Sequence, residues 1–194
     1  MLGYFRCKRD GAAARTHTSA NMIENVTRLA GIEIQSADPF FLTVVVGIHI
    51  PVGLGCVAVG ALAMFSQKGR GRHSTLGQIY FWSLLALFLS ATLLSVMRWV
   101  HTYHLFLLGM ASFASACLGR AALRQRWPQW KRLHIAGMGL SYVLMLIAFY
   151  VDNGKQLPLW RDLPHFMYWL LPLVIGLPLI VRALLWHPLV QKRR

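Results

Sequence analysis

Imidazole is the side chain with the widest chemical range in this sequence. Eight histidines occur in 194 residues, and four stand at near-equal intervals: His73, His104, His134 and His165, separated by 31, 30 and 31 residues. Neutral imidazole is a good axial ligand for iron, and it also suits zinc and copper. Its second ring nitrogen can be oriented by a backbone carbonyl or a water. The interval also has a plainer origin. A span of about 20 residues followed by a short loop repeats at about 30, so any residue favoured at helix starts recurs evenly.

The elements that must position these histidines are membrane helices. With 56 % hydrophobic and 13 % charged residues and a mean hydropathy of +0.49, the chain is too apolar for an ordinary soluble domain of its length. Five stretches can cross the bilayer as helices, at about 20 residues each: Phe40 to Phe65, Leu76 to Met97, Tyr103 to Leu123, Leu133 to Val151 and His165 to Trp186. The expected fold is all-α, an integral membrane bundle of five transmembrane helices. Residues 1–39 form a polar extension, 40–186 the membrane domain and 187–194 a basic tail. Within the extension, Met22 to Ile34 reads as a short amphipathic helix, with Asn21 and Glu24 spaced as a capping box. No apolar run of secretory length precedes the first span, which is expected to act as its own insertion signal.

Charge sets the expected orientation. The formal net charge is +14, and cations on so apolar a chain belong at membrane surfaces rather than on nucleic acid. Twelve of the 20 Lys and Arg residues fall on one side, in the first loop (Lys68, Arg70, Arg72), around the third loop (Arg120, Arg124, Arg126, Lys131, Arg132) and after the last span (Arg182, Lys192, Arg193, Arg194). The opposite loops hold Arg98, Lys155 and Arg161. The positive-inside rule then places the C-terminus in the cytoplasm and the N-terminus outside. Five cations in the extension oppose this, of which Arg28 alone is near a span. Trp and Tyr residues near span ends, from Tyr80 and Trp82 to Tyr168 and Trp186, fit interfacial belts.

Alternating spans put His73 and His134 on the cytoplasmic side and His104 and His165 on the outer side. Two same-side pairs in a helical bundle are the arrangement that clamps two haems, each iron taking one imidazole from each of two helices. Ala111 and Ser115 follow His104 on one face, and Gly137 and Ser141 follow His134. Such small residues either leave room for a flat macrocycle or let helices pack closely. Arg70, Arg72, Lys131 and Arg132 stand where propionates could meet them. His49 lies nine residues into the first span, about 14 Å deep, among Gly47, Pro51, Gly53 and Gly55. An ionisable group at that depth is a functional candidate. It is expected to pair with His104 or His165, to hydrogen-bond a quinol or a haem propionate, or to bond a carbonyl freed by Pro51.

Other chemistries are disfavoured. Cys7, Cys56 and Cys117 form no C-x-x-C, so neither covalent haem attachment nor a thiolate zinc site is indicated. No Asp or Glu lies inside the expected spans, which argues against a carboxylate proton relay. Walker A, H-E-x-x-H and G-x-S-x-G sequences are absent. Pro172 and Pro178 read as kinks in the fifth span.

His49 in its Gly-rich span, the stretch from Lys68 through His73 to Tyr80, and Lys131-Arg-Leu-His134 leading into Ser141-Tyr142 resemble an uncharacterised family of bacterial predicted membrane proteins. The resemblance covers about residues 40 to 185 and carries no established activity; it implies a multi-pass protein of the bacterial inner membrane. A looser similarity is to cytochrome-b-type transmembrane carriers with two haems. That similarity implies ligands at His73 with His134 and at His104 with His165, haem b as cofactor, and a quinol or a protein as redox partner. Ligands in that family sit deeper than His73, and His101 competes with His104. The alternatives are a packing, assembly or sensing subunit without cofactor, and a transition-metal site drawn from His101, His104, His165 and His49.

Overall fold

In a computed structural model, the residues described are 27–29, 32–34, 39–67, 71–158 and 160–186. Two units are distinguished, divided between Thr43 and Val44. In the first, β1 (Thr27–Leu29) and β2 (Ile32–Ile34) pair antiparallel, with Thr27 opposite Ile34, Arg28 opposite Glu33 and Leu29 opposite Ile32. This replaces the amphipathic helix expected over 22–34; residues 21–26 lie outside the described residues. The reason is a period of two inside that stretch. The register alternates along each strand, pairing Thr27 with Ile34 and Leu29 with Ile32 and, between them, Arg28 with Glu33.

Five helices are long and apolar enough to cross a membrane: Leu42–Phe65, Arg72–Met97, Trp99–Gln125, Trp130–Gln156 and Phe166–Trp186. The protein is an all-α integral membrane bundle. The first span comprises α1 (Pro39–Val44), a π-helical turn (Val45–His49) and α2 (Ile50–Phe65). Pro51 causes the irregularity: it has no N–H to offer the carbonyl of Gly47. The ladder widens instead, and the Ile50 N–H reaches back five residues to Val45.

The remaining spans are α3 (Arg72–Met97), α4 (Trp99–Gln125), α5 (Trp130–Asn153, extended by a 3-10 turn over Gly154–Gln156) and α6 (Phe166–Trp186). Two boundaries differ from the expected ones. Where a five-residue link was expected after Met97, Arg98 alone separates α3 from α4, because Trp99 to Thr102 continue as helix. The fourth span runs further, bringing Asp152 into the last turn of α5. Pro172 and Pro178 leave α6 unbroken.

Helices α2 to α5 pack against their sequence neighbours and close between α2 and α5, while α6 lies outside, against α5. Cys56, Tyr80, Leu84, Ala116 and Met145 form the buried centre. Large apolar residues such as Leu54, Leu118 and Val174 face outward, as lipid contact requires. With little hydrophobic drive between helices in lipid, close backbone approach and interhelical hydrogen bonds hold such a bundle. The closest approach joins α4 to α5. A Cβ on Gly137 would stand 2.7 Å from the Ser115 carbonyl oxygen and 2.8 Å from Gly119 Cα.

Candidate functional site

One register organises the centre of the bundle. His73, Tyr80 and Leu84 on α3 face His134, Ser141 and Met145 on α5, each partner 61 positions later. The offset is constant because the second and fourth spans run in the same direction. At the first rung the two imidazole rings meet at 6.4 Å between centroids, with planes at 88°. At the second, the hydroxyls of Tyr80 and Ser141 lie 3.0 Å apart. Leu84 and Met145 both belong to the buried cluster.

The first rung stands at the end of the bundle that carries Arg72, Lys131 and Arg132. His73 is on the first turn of α3, and its Nδ1 donates to the Ala63 carbonyl at 2.9 Å. Ala63 lies in the last turn of α2, where carbonyls have no intrahelical donor. Ser66 Oγ donates to the same oxygen at 2.8 Å. His134 Nδ1 donates to the Gly119 carbonyl on α4 at 3.0 Å. A carbonyl only accepts, so each ring carries a proton on Nδ1. Both rings are half-buried.

The tyrosines and serines below complete a polar lattice. Ser141 Oγ donates to Met138 O at 2.8 Å, and Ser112 Oγ on α4 donates to Ser141 O at 2.7 Å. Tyr142 OH reaches Val57 O on α2 at 3.0 Å. Tyr80, expected in an interfacial belt, is 3 % exposed, and Tyr168 is 1 % exposed with its hydroxyl on Trp160 O. Trp82, Trp99 and Trp186 do lie outward. The small residues after His134 serve close packing: Gly137 meets Gly119 and Ser115, so no macrocycle fits between α4 and α5 at that height.

The histidines of the other end are arranged differently. His104 lies against Tyr103 and Trp169, at 5.6 and 6.1 Å between centroids, and within electrostatic reach of Asp152. His165 is exposed, with Tyr168 as its ring neighbour. Their rings do not touch each other. His101 is exposed on the first turn of α4. His49, half-buried, bonds through Nδ1 to Ser90 Oγ on α3 at 2.9 Å, a side-chain partner rather than another histidine or a freed carbonyl.

The donor set discriminates between cofactors. Among the described residues, no group of three or more His, Cys, Asp or Glu could hold a metal ion, and a bare zinc needs three or four protein ligands. Haem supplies four ligands to its iron and asks the protein for two. Nδ1–H bonds to carbonyls are the orientation metal-ligating histidines use. In number, two imidazoles are what haem would ask of the chain, and fewer than a lone ion needs. Comparison with protein-family models, with curated proteins and with solved structures finds no match.

Proposed function

We propose that the protein is a multi-pass haem-b protein of the bacterial inner membrane, holding one haem between His73 and His134 and passing electrons within the membrane. The observation that carries this reading is the meeting of these two imidazoles, from different helices, at 6.4 Å with both Nδ1 atoms bonded to carbonyls. Bound haem supplies a one-electron couple to iron. The chain would fix the two rings through their Nδ1 bonds to carbonyls and sets Arg72 and Arg132 on the same helical turns for anionic propionates. The end bearing these cations is the cytoplasmic one by the positive-inside rule. His104 and His165 offer no comparable pair, so the proposal is for one haem.

The test is a dithionite-reduced minus oxidised absorption spectrum of the detergent-purified protein expressed with ample haem. A b-type band is expected, lost in His73→Ala and in His134→Ala and kept in His104→Ala and His165→Ala. A colourless wild-type protein overturns the reading. A second reading rests on the same bonds: His73 and His134 tie α2 to α3 and α4 to α5 through backbone carbonyls, as in a packing or assembly subunit. That reading predicts a colourless protein, destabilised by either substitution.

A further inference from the structure

His49 is a membrane-embedded imidazole with a function unaccounted for by the haem proposal. It lies seven residues past Leu42, about 10 Å into the first span, and Ser90 lies seven residues before Met97 on α3, at the same depth. With Ser90 Oγ donating its proton to Leu87 O at 2.9 Å, the 2.9 Å bond to His49 uses the hydrogen on Nδ1 in the matching tautomer. The Nε2 lone pair of the neutral ring is left as an acceptor, and it has no hydrogen-bond partner among the described residues. No buried side-chain nitrogen or oxygen among them lacks a partner, so Nε2 reaches the surface of the bundle. The surface there is hydrocarbon: Ile48 is 48 % exposed, and a Cβ on Gly47 would meet nothing within 4 Å.

An acceptor without a donor, about 10 Å deep beside open apolar surface, selects a ligand that brings its own hydroxyl proton and dissolves in hydrocarbon. Phospholipid headgroups stay at the interface. We infer that His49 is the hydrogen-bond acceptor of a binding site for a membrane-soluble hydroquinone, entered from the bilayer between the first and second spans, with Ser90 as the positioning residue that fixes the ring tautomer. The site uses no residue of the haem proposal and stands or falls separately from it.

The full chain, labelled with 15N-histidine in phosphatidylcholine nanodiscs, is titrated under argon with a decyl-substituted dimethoxy-methyl-hydroquinone. Its dimethyl ether, equal in shape but without a donor, is the comparison. The expected result is a saturable shift of one Nε2 resonance, identified by its loss in His49→Gln, with the hydroquinone and not with the ether. Affinity is expected to fall at least tenfold in His49→Leu. Equal response to hydroquinone and ether, no saturable shift, or a fall below tenfold overturns the inference. Should His49→Leu fail to fold, the wild-type comparison of hydroquinone with ether decides alone. A protein carrying His73→Ala and His134→Ala is expected to bind the hydroquinone as the wild type does, which separates the two proposals.

Discussion

A methyl group added at Gly137 tests whether backbone contact holds the bundle. The Cβ of Gly137→Ala would stand 2.7 Å from Ser115 O and 2.8 Å from Gly119 N and Cα. Taking about 3.5 Å as the contact distance, α4 and α5 must part by roughly 0.7 Å. Every atom met is backbone, so no side chain can rotate away. Overpacking of this kind costs about 1–3 kcal/mol, while alanine gains about 0.5–1 kcal/mol over glycine as a helix former. Taking the middle of each range, the net expectation is a loss of about 1 kcal/mol. Gly55→Ala is the control, because its Cβ would meet nothing within 4 Å; there the helix-propensity gain stands alone and stability rises. The two substitutions are chemically identical and opposite in expected sign. The assay is reversible unfolding in dodecyl maltoside titrated with sodium dodecyl sulfate, followed by far-ultraviolet circular dichroism. Wild-type stability in Gly137→Ala, or equal losses in both proteins, would refute the argument that α4 and α5 touch through these glycines.

The polar lattice gives an asymmetric pair. Tyr80→Phe leaves Ser141 Oγ bonded to Met138 O and is expected to cost about 0.5–1.5 kcal/mol, whereas Ser141→Ala strands the buried Tyr80 hydroxyl and should cost about 1–3 kcal/mol in the same unfolding assay. Tyr142→Phe frees only a carbonyl of α2 and should cost about 1 kcal/mol or less. In the turn between α4 and α5, Gln129 has φ 59°. Relief of that left-handed strain makes Gln129→Gly neutral to stabilising by about 1 kcal/mol, and a clear loss of stability would show that the Gln129 side chain has a role of its own.

The five spans are legible because a long apolar run has one structural solution in lipid, a helix. Their ends are less so: hydropathy marks where polarity begins, and helix continues past that point at Trp99 and at Asp152. The pairing of His73 with His134 is also legible, from topology together with the even spacing. Tyr80 was hidden by composition, since a tyrosine eight residues into a span looks interfacial; the repeated offset of 61 between His73 and His134 and between Tyr80 and Ser141 was the available signal. The pairing of β1 with β2 is not legible, because a few apolar positions satisfy helical and strand periods alike. Nothing in the sequence named Ser90 as the partner of His49, because their contact joins residues 41 apart in two helices whose rotation about their own axes no composition reveals.

The position of α6 bears on how the molecule is made. It rests against α5 from outside, with Gly139 and Val143 of α5 receiving Ile180 and Gly176, and it adds no residue to the ladder between α3 and α5. Chains emerge from the ribosome N-terminus first, so His73, His134 and the hydrogen-bonded Tyr80, Ser112, Ser141 and Tyr142 all precede α6 in order of synthesis. The inner four helices can close on one another without it. Proline-bearing α6 then docks last onto a finished surface.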